Sequence, residues 1–214
     1  MINPRVVIFF GSDGTGKTTQ ARILARELAQ RGIKVSKAWI RGRHSLAFYL
    51  SQLLLKLGYQ GFVIAPYAPT GKILDSRTLP GKRIWSLIEF ISVVPLVIRR
   101  MYLPLLQGRS VIAERYVIDT IVYNRYYIGS RFDIYARILL HLIPKDSIII
   151  HLDATEKDVF DRRKDDLMSR TFIEFQLRSY RSFARSLNAL SINTSIESID
   201  GASKLIRERM FQGS

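Results

Sequence analysis

The sequence predicts a single α/β domain over residues 1–214, a parallel sheet with helices on both faces, and three observations lead to it. Short apolar runs alternate with longer stretches of helical spacing, which is the pattern of strand and crossover helix rather than of hairpins. The first such unit, from Val6 to Ile40, reads strand, helix, strand, and a crossover of that kind joins parallel strands with a right-handed connection. A length of 214 residues suffices for one domain with a substantial core and falls short of two.

The first strand is Val6-Val7-Ile8-Phe9-Phe10. It runs into Gly11-Ser12-Asp13-Gly14-Thr15-Gly16-Lys17-Thr18-Thr19, and residues 17–31 then place Ala21, Ile23, Leu24, Ala25, Leu28 and Ala29 at helical spacing before Gly32. A strand, a glycine loop ending in Gly-Lys-Thr and a helix make up the complete Walker A context. Glycines let backbone N–H groups curl around an anion, and the helix presents its positive end to it. Lys17 can neutralise the β- and γ-phosphates of ATP, while the Thr18 hydroxyl can hold Mg²⁺. The predicted architecture is therefore the three-layer P-loop NTPase fold, with residues Gly11 to Thr19 as the ATP-binding candidates.

Residues 33–40 form the second strand, which ends in Arg41-Gly42-Arg43-His44. Ligands of open α/β sheets lie beyond the carboxyl ends of the strands, so Arg41 is either an acceptor-phosphate ligand or a solvated loop arginine. Residues 45–58 read as a helix, 59–81 as a long loop rich in Gly and Pro, and 82–106 as a helix bent or broken near Pro95 and Pro104. The third strand, Ser110-Val111-Ile112-Ala113, ends in Glu114-Arg115-Tyr116. A strand-end carboxylate beside a P-loop can direct magnesium, which makes Glu114 the metal candidate and aims Arg115 into the same cleft. Helices over 117–128 and 132–142 lead to the fourth strand, 147–152, and Asp153 after it reads as the cap of the next helix. From Glu156 a helix merges into the charged stretch 161–170, which fits a solvated helix or a mobile lid carrying arginines equally well. A helix over 172–190, a fifth strand over 190–193 and a helix over 202–211 close the chain.

Composition narrows the chemistry. With no cysteine, disulfides and thiolate metal sites are excluded, and three scattered histidines give no ligand spacing. The formal charge of +15, from 33 Lys and Arg against 18 Asp and Glu, favours anionic partners. The basic residues are spread along the chain without a nucleic-acid module signature, so free nucleotides are expected before nucleic acid. No Asn-Lys-x-Asp guanine signature occurs, which disfavours a GTPase. Two apolar stretches, 46–57 and 84–98, fall short of the ~20 residues of a membrane span and read as core helices. No membrane partner is expected, and the absence of a leader pattern before the first strand predicts a cytoplasmic protein.

With these pieces in order, the chain resembles the thymidylate kinase family of P-loop nucleoside monophosphate kinases along nearly its whole length. The resemblance lies in Phe9 to Gln20, in Glu114-Arg115-Tyr116 for the family's Asp-Arg-Tyr or Asp-Arg-His motif, in Tyr123, and in Leu152-Asp153 followed by Arg162. It implies the strand order 2-3-1-4-5, a homodimer, and transfer of the ATP γ-phosphoryl to dTMP with Mg²⁺. It also implies Asp13 facing the acceptor sugar, Arg115 and Arg41 on the acceptor phosphate, and Phe90 stacked on the base. Gly14 stands where one branch of the family has a catalytic arginine, which shifts that role to a lid over about 162–171 and to Arg162, Arg163 or Arg170 beside Lys17.

The departures concern the base. Glu114 replaces an aspartate, Val94 stands where the family has a base-reading arginine, and Asp119-Thr120 replaces a serine pair. A valine offers no donor to a thymine carbonyl, so looser base selection is expected, with dUMP accepted beside dTMP. Asp119 placed against a base would instead favour the amino groups of cytosine or adenine. Two rivals follow: a P-loop kinase for another nucleotide or a nucleoside, and a nucleotide-binding regulator or nucleic-acid-associated ATPase.

Overall fold

The structure is a computed structural model that describes residues 6–40, 46–57, 79–129, 133–162 and 170–211. Five parallel strands form one sheet: β1 (Val6–Phe10), β2 (Val35–Trp39), β3 (Ser110–Arg115), β4 (Ser147–Asp153) and β5 (Leu190–Asn193). Their order is β2-β3-β1-β4-β5, as the resemblance implies. The strand β1 lies in the middle, and all five of its residues are buried. A strand covered on both faces reads as a continuous apolar run, and Val-Val-Ile-Phe-Phe is such a run.

Alternation along the strands divides the core into two layers. Val7, Phe9, Ile112 and Ile150 point to one face, where α1 (Lys17–Gln30) and α9 (Ile199–Phe211) cover them through Leu24, Leu28, Ile206 and Met210. Val6, Ile8, Phe10, Val111 and Ala113 point to the other, under α3 (Leu79–Val97), α5 (Val117–Ile128), α6 (Asp133–His141) and α8 (Arg170–Ser186). The remaining helices are α2 (Leu46–Lys56), α4 (Leu103–Leu106) and α7 (Glu156–Asp161). Burying each large apolar side chain contributes roughly 1.5–3 kcal/mol, so the buried apolar residues of these strands hold the plane on which the loops sit.

Several elements differ from the sequence expectation. The helix expected over 82–106 begins at Leu79, carries Pro95 inside it, and opens into a π turn at Ile98–Tyr102 before α4. There the Leu103 N–H donates to Ile98 O, five residues back, and Pro104, next in line, has no N–H to continue the ladder. Of the loop expected over 59–81, residues 59–78 lie outside the described residues. The expected core helices are apolar on more than one side: Leu46, Tyr49 and Leu53 on α2 and Leu57 just after it, with Ile84, Leu87 and Ile91 on α3, are exposed. Among the described residues, no helix is long and apolar enough to cross a membrane.

His151 on β4 is buried, stacks on Phe10 with ring centroids 5.0 Å apart, and pairs through Nδ1 with Ser191 Oγ at 2.8 Å. Burial pushes its pKa down to about 4, with Asp153 opposing and Arg181 and Lys17 reinforcing the shift. The unfolded chain has the ordinary value near ~6.5, so between these two values the unfolded state binds more protons than the folded one. Stability is therefore expected to be complete above ~6.5 and to fall as pH drops toward ~4, by up to about 3 kcal/mol. Denaturant titrations across this window check it: the difference in pH slope between wild type and His151→Phe should carry the effect, and equal slopes would remove it.

Candidate active site

The loop between β1 and α1 is shaped by three glycines with positive φ: Gly11 at 143°, Gly14 at 85° and Gly16 at 86°. At Gly11 a Cβ would lie 2.2 Å from Leu152 O, so the neighbouring strand leaves no room for a side chain. Gly16 is the N-cap of α1 and brings no side-chain cap, which leaves the first N–H groups of the helix without a side-chain acceptor. An anion is the natural occupant of such a terminus. Lys17 is 6% exposed, and its ammonium donates to Gly11 O at 2.8 Å and to Ser12 O. Ser12 in turn donates to Gln176 Oε1 at 3.1 Å, which fastens the loop to α8.

A cleft of about 360 Å³ opens over this loop, lined by Asp13, Gly14, Gly16, Lys17, Thr18, Thr19, Trp39, Glu114, Arg115 and Arg162. Strict alternation would send Glu114 and Arg115 to opposite faces of the sheet. The register of β2 on β3 passes from Ala38↔Ala113 to Trp39↔Arg115, which leaves Glu114 as an extra residue. A bulge of this kind re-aims side chains, and here both Glu114 and Arg115 line the cleft.

Carboxylates hold Arg115 from two sides. Its guanidinium is paired with Asp13 and lies 3.4 Å from Asp119 Oδ1. Asp13 is also 3.7 Å from the Lys17 ammonium, so one carboxylate bridges the loop lysine and the strand arginine. Asp119 is completely buried, and its oxygens accept from Tyr180 Oη at 3.0 Å and from the Tyr116 N–H at 3.3 Å. It closes the first turn of α5 and holds Arg115, and it does not line the cleft.

The other candidates divide clearly. Arg162, at the end of α7, donates to Gly14 O at 3.2 Å and to Thr194 Oγ1 at 3.1 Å, which brings it against the glycine loop. Arg170 heads α8 and pairs instead with Glu156 at 2.6 Å and Glu174 at 3.4 Å. Arg41 and Arg163 lie outside the described residues, as do residues 163–169 of the lid expected over about 162–171. Phe90 packs into the core beside Tyr135, with centroids 5.2 Å apart, and Tyr123 is buried with its ring edge-on to Phe172. Neither lines the cleft. Asp153 does not cap the following helix. Thr155 does, through the Asp158 N–H, while Asp153 binds Arg181 Nε at 2.7 Å.

Sequence reading missed Trp39, Gln176, Tyr180 and Thr194. For two of them a signal existed: Gln176 and Tyr180 fall on the same stripe of α8 as Phe172, Ile173, Leu177 and Phe183, so polar groups sat at core positions. The chain matches no family model and no curated protein. Its resemblance to the kinase family rests on the motifs quoted above.

Proposed function

We propose that the chain transfers the γ-phosphoryl group of ATP to a nucleoside monophosphate, with dTMP as the first choice of acceptor. The observation that carries this reading is the meeting of Lys17, Glu114, Arg115 and Arg162 on one cleft over a glycine loop. A phosphate-binding loop alone would serve any ATPase. A second arginine-bearing strand end beside it gives a place for a second phosphate.

Phosphoryl transfer needs alignment and charge stabilisation more than covalent chemistry. Lys17 and Arg162 neutralise the migrating group, and Arg115 holds the acceptor phosphate in line, with Asp13 yielding it as the anion arrives. The donor set fits Mg²⁺: Thr18 and Glu114 offer hard oxygen ligands, and among the described residues no group of three carboxylate or imidazole side chains forms a cage. Thr18 and Glu114 would hold the metal, which would supply charge neutralisation at the phosphates. A homodimer belongs to this reading, supported by the exposed apolar side chains of α2 and α3.

Incubation with ATP, Mg²⁺ and a panel of dTMP, dUMP, dCMP, dAMP, thymidine, DNA and RNA tests it. Diphosphate product is expected, with dTMP and dUMP used to within about tenfold of one another, because Val94 adds no donor for the base. Phosphorylation of thymidine alone would make the chain a nucleoside kinase. ATP hydrolysis raised by nucleic acid, without diphosphate product, would replace the reading with the ATPase favoured by the +15 charge.

A further inference from the structure

Resting on the kinase reading, we infer that Trp39 is the platform on which the acceptor's base stacks, in place of Phe90. Trp39 is the last residue of β2 and lines the cleft together with Arg115, yet it is 41% exposed. A large aromatic ring that is part-exposed inside a charged cleft offers apolar area to a ligand, beside the guanidinium of Arg115 that lies over it. Its immediate neighbours are fixed. Ala38 and Ile40 on either side are buried, the Ile40 N–H donates to Arg115 O at 2.9 Å, and Arg100 binds the Trp39 carbonyl. The backbone that carries the ring is therefore tied to β3 and to Arg100.

Its position follows from the bulge. With Glu114 as the extra residue, Trp39 lies opposite Arg115, whose guanidinium carbon is 5.5 Å from the ring centroid. A phosphate held by Arg115 has its sugar and base within a few ångströms of that ring. The opposite end of the cleft belongs to Arg162, tied to Thr194 just beyond β5, so Trp39 sits at the β2 end, away from it. Phe90 packs against Tyr135 at the edge of the core and does not line the cleft. Stacking on an indole accepts every base, since each has a π face. This agrees with the loss of a directed donor at Val94 and makes the acceptor class any nucleoside monophosphate whose base can slide over Trp39.

The chain has two tryptophans, Trp39 and the buried Trp85, so Trp85→Phe leaves Trp39 as the sole indole reporter. Titration of this variant with dTMP should quench fluorescence saturably, whereas ribose 5-phosphate, which has the phosphate and sugar without a base, should bind without quenching. Should Trp85→Phe fail to fold, the difference between wild type and Trp39→Phe gives the same reading. Trp39→Ala is expected to weaken dTMP binding about tenfold and ribose 5-phosphate binding not at all, with Trp39→Phe in between. Equal weakening of both ligands would show that Trp39 only shelves Arg115 and would overturn the inference. Quenching by ATP but not by dTMP would overturn it too, by giving the ring to the donor base. Because these are binding measurements, dTMP quenching in a chain that forms no diphosphate would refute the kinase reading while leaving Trp39 as a nucleotide platform.

Discussion

Lys17→Ala is expected to lower phosphoryl-transfer turnover by about 10³-fold while leaving the chain folded. The magnitude is that of removing a fixed charge aimed at a group whose negative charge shifts in the transition state. In the structure the ammonium is already gathered into the loop by Gly11 O at 2.8 Å and by Ser12 O, and it is 6% exposed. It is thus held at the loop, and its N–H groups turn from these carbonyls to the phosphates when the triphosphate arrives. The loss should appear in the turnover number more than in ATP affinity, since the N–H groups of the loop remain to bind the phosphates. Lys17→Arg is expected to rescue poorly, because a rigid planar fork does not fit a buried slot shaped for a compact ammonium. Single-turnover measurements with saturating ATP check both variants. Retention of more than a tenth of wild-type turnover in folded Lys17→Ala would take the lysine out of the chemistry.

Much of the fold was legible because its signals are local. The run Val6 to Phe10, the glycine loop and the apolar spacing of α1 each occupy a few consecutive residues, and each has one physical reading. The strand order was readable only through resemblance, since nothing in five apolar runs says which lie side by side. What escaped was decided by distant partners. Asp153 looks like a cap when only the next helix is considered, but Arg181, 28 residues on, claims its Oδ2, and Thr155 takes the cap. Asp119 looks like a free carboxylate near a base until Tyr180, 61 residues away, closes over it. Trp39 carried no motif at all, and its place in the cleft depends on a one-residue bulge in a neighbouring strand.

That same bulge sets up the second large effect, at Arg115. This arginine is 11% exposed and joins Asp13, on the loop, to the fully buried Asp119. Two consequences of Arg115→Ala should separate. The first is catalytic: a guanidinium fork on a phosphate is among the stronger charge-assisted contacts, and its loss should raise the KM for the acceptor about 100-fold, leaving the KM for ATP near wild type. The second is structural. Asp119 loses one of its three partners, keeping the Tyr180 hydroxyl and the Tyr116 N–H, so stability should fall by about 1–3 kcal/mol. Tyr180→Phe disentangles them, because it loosens Asp119 without touching the guanidinium. If Arg115 serves the acceptor, Tyr180→Phe lowers stability by about 1 kcal/mol and moves the acceptor KM only a few-fold. If Arg115 is merely a clasp between loop and helix, the two variants should lose stability alike and leave the acceptor KM unchanged, and the acceptor phosphate would then have to be assigned to another cation.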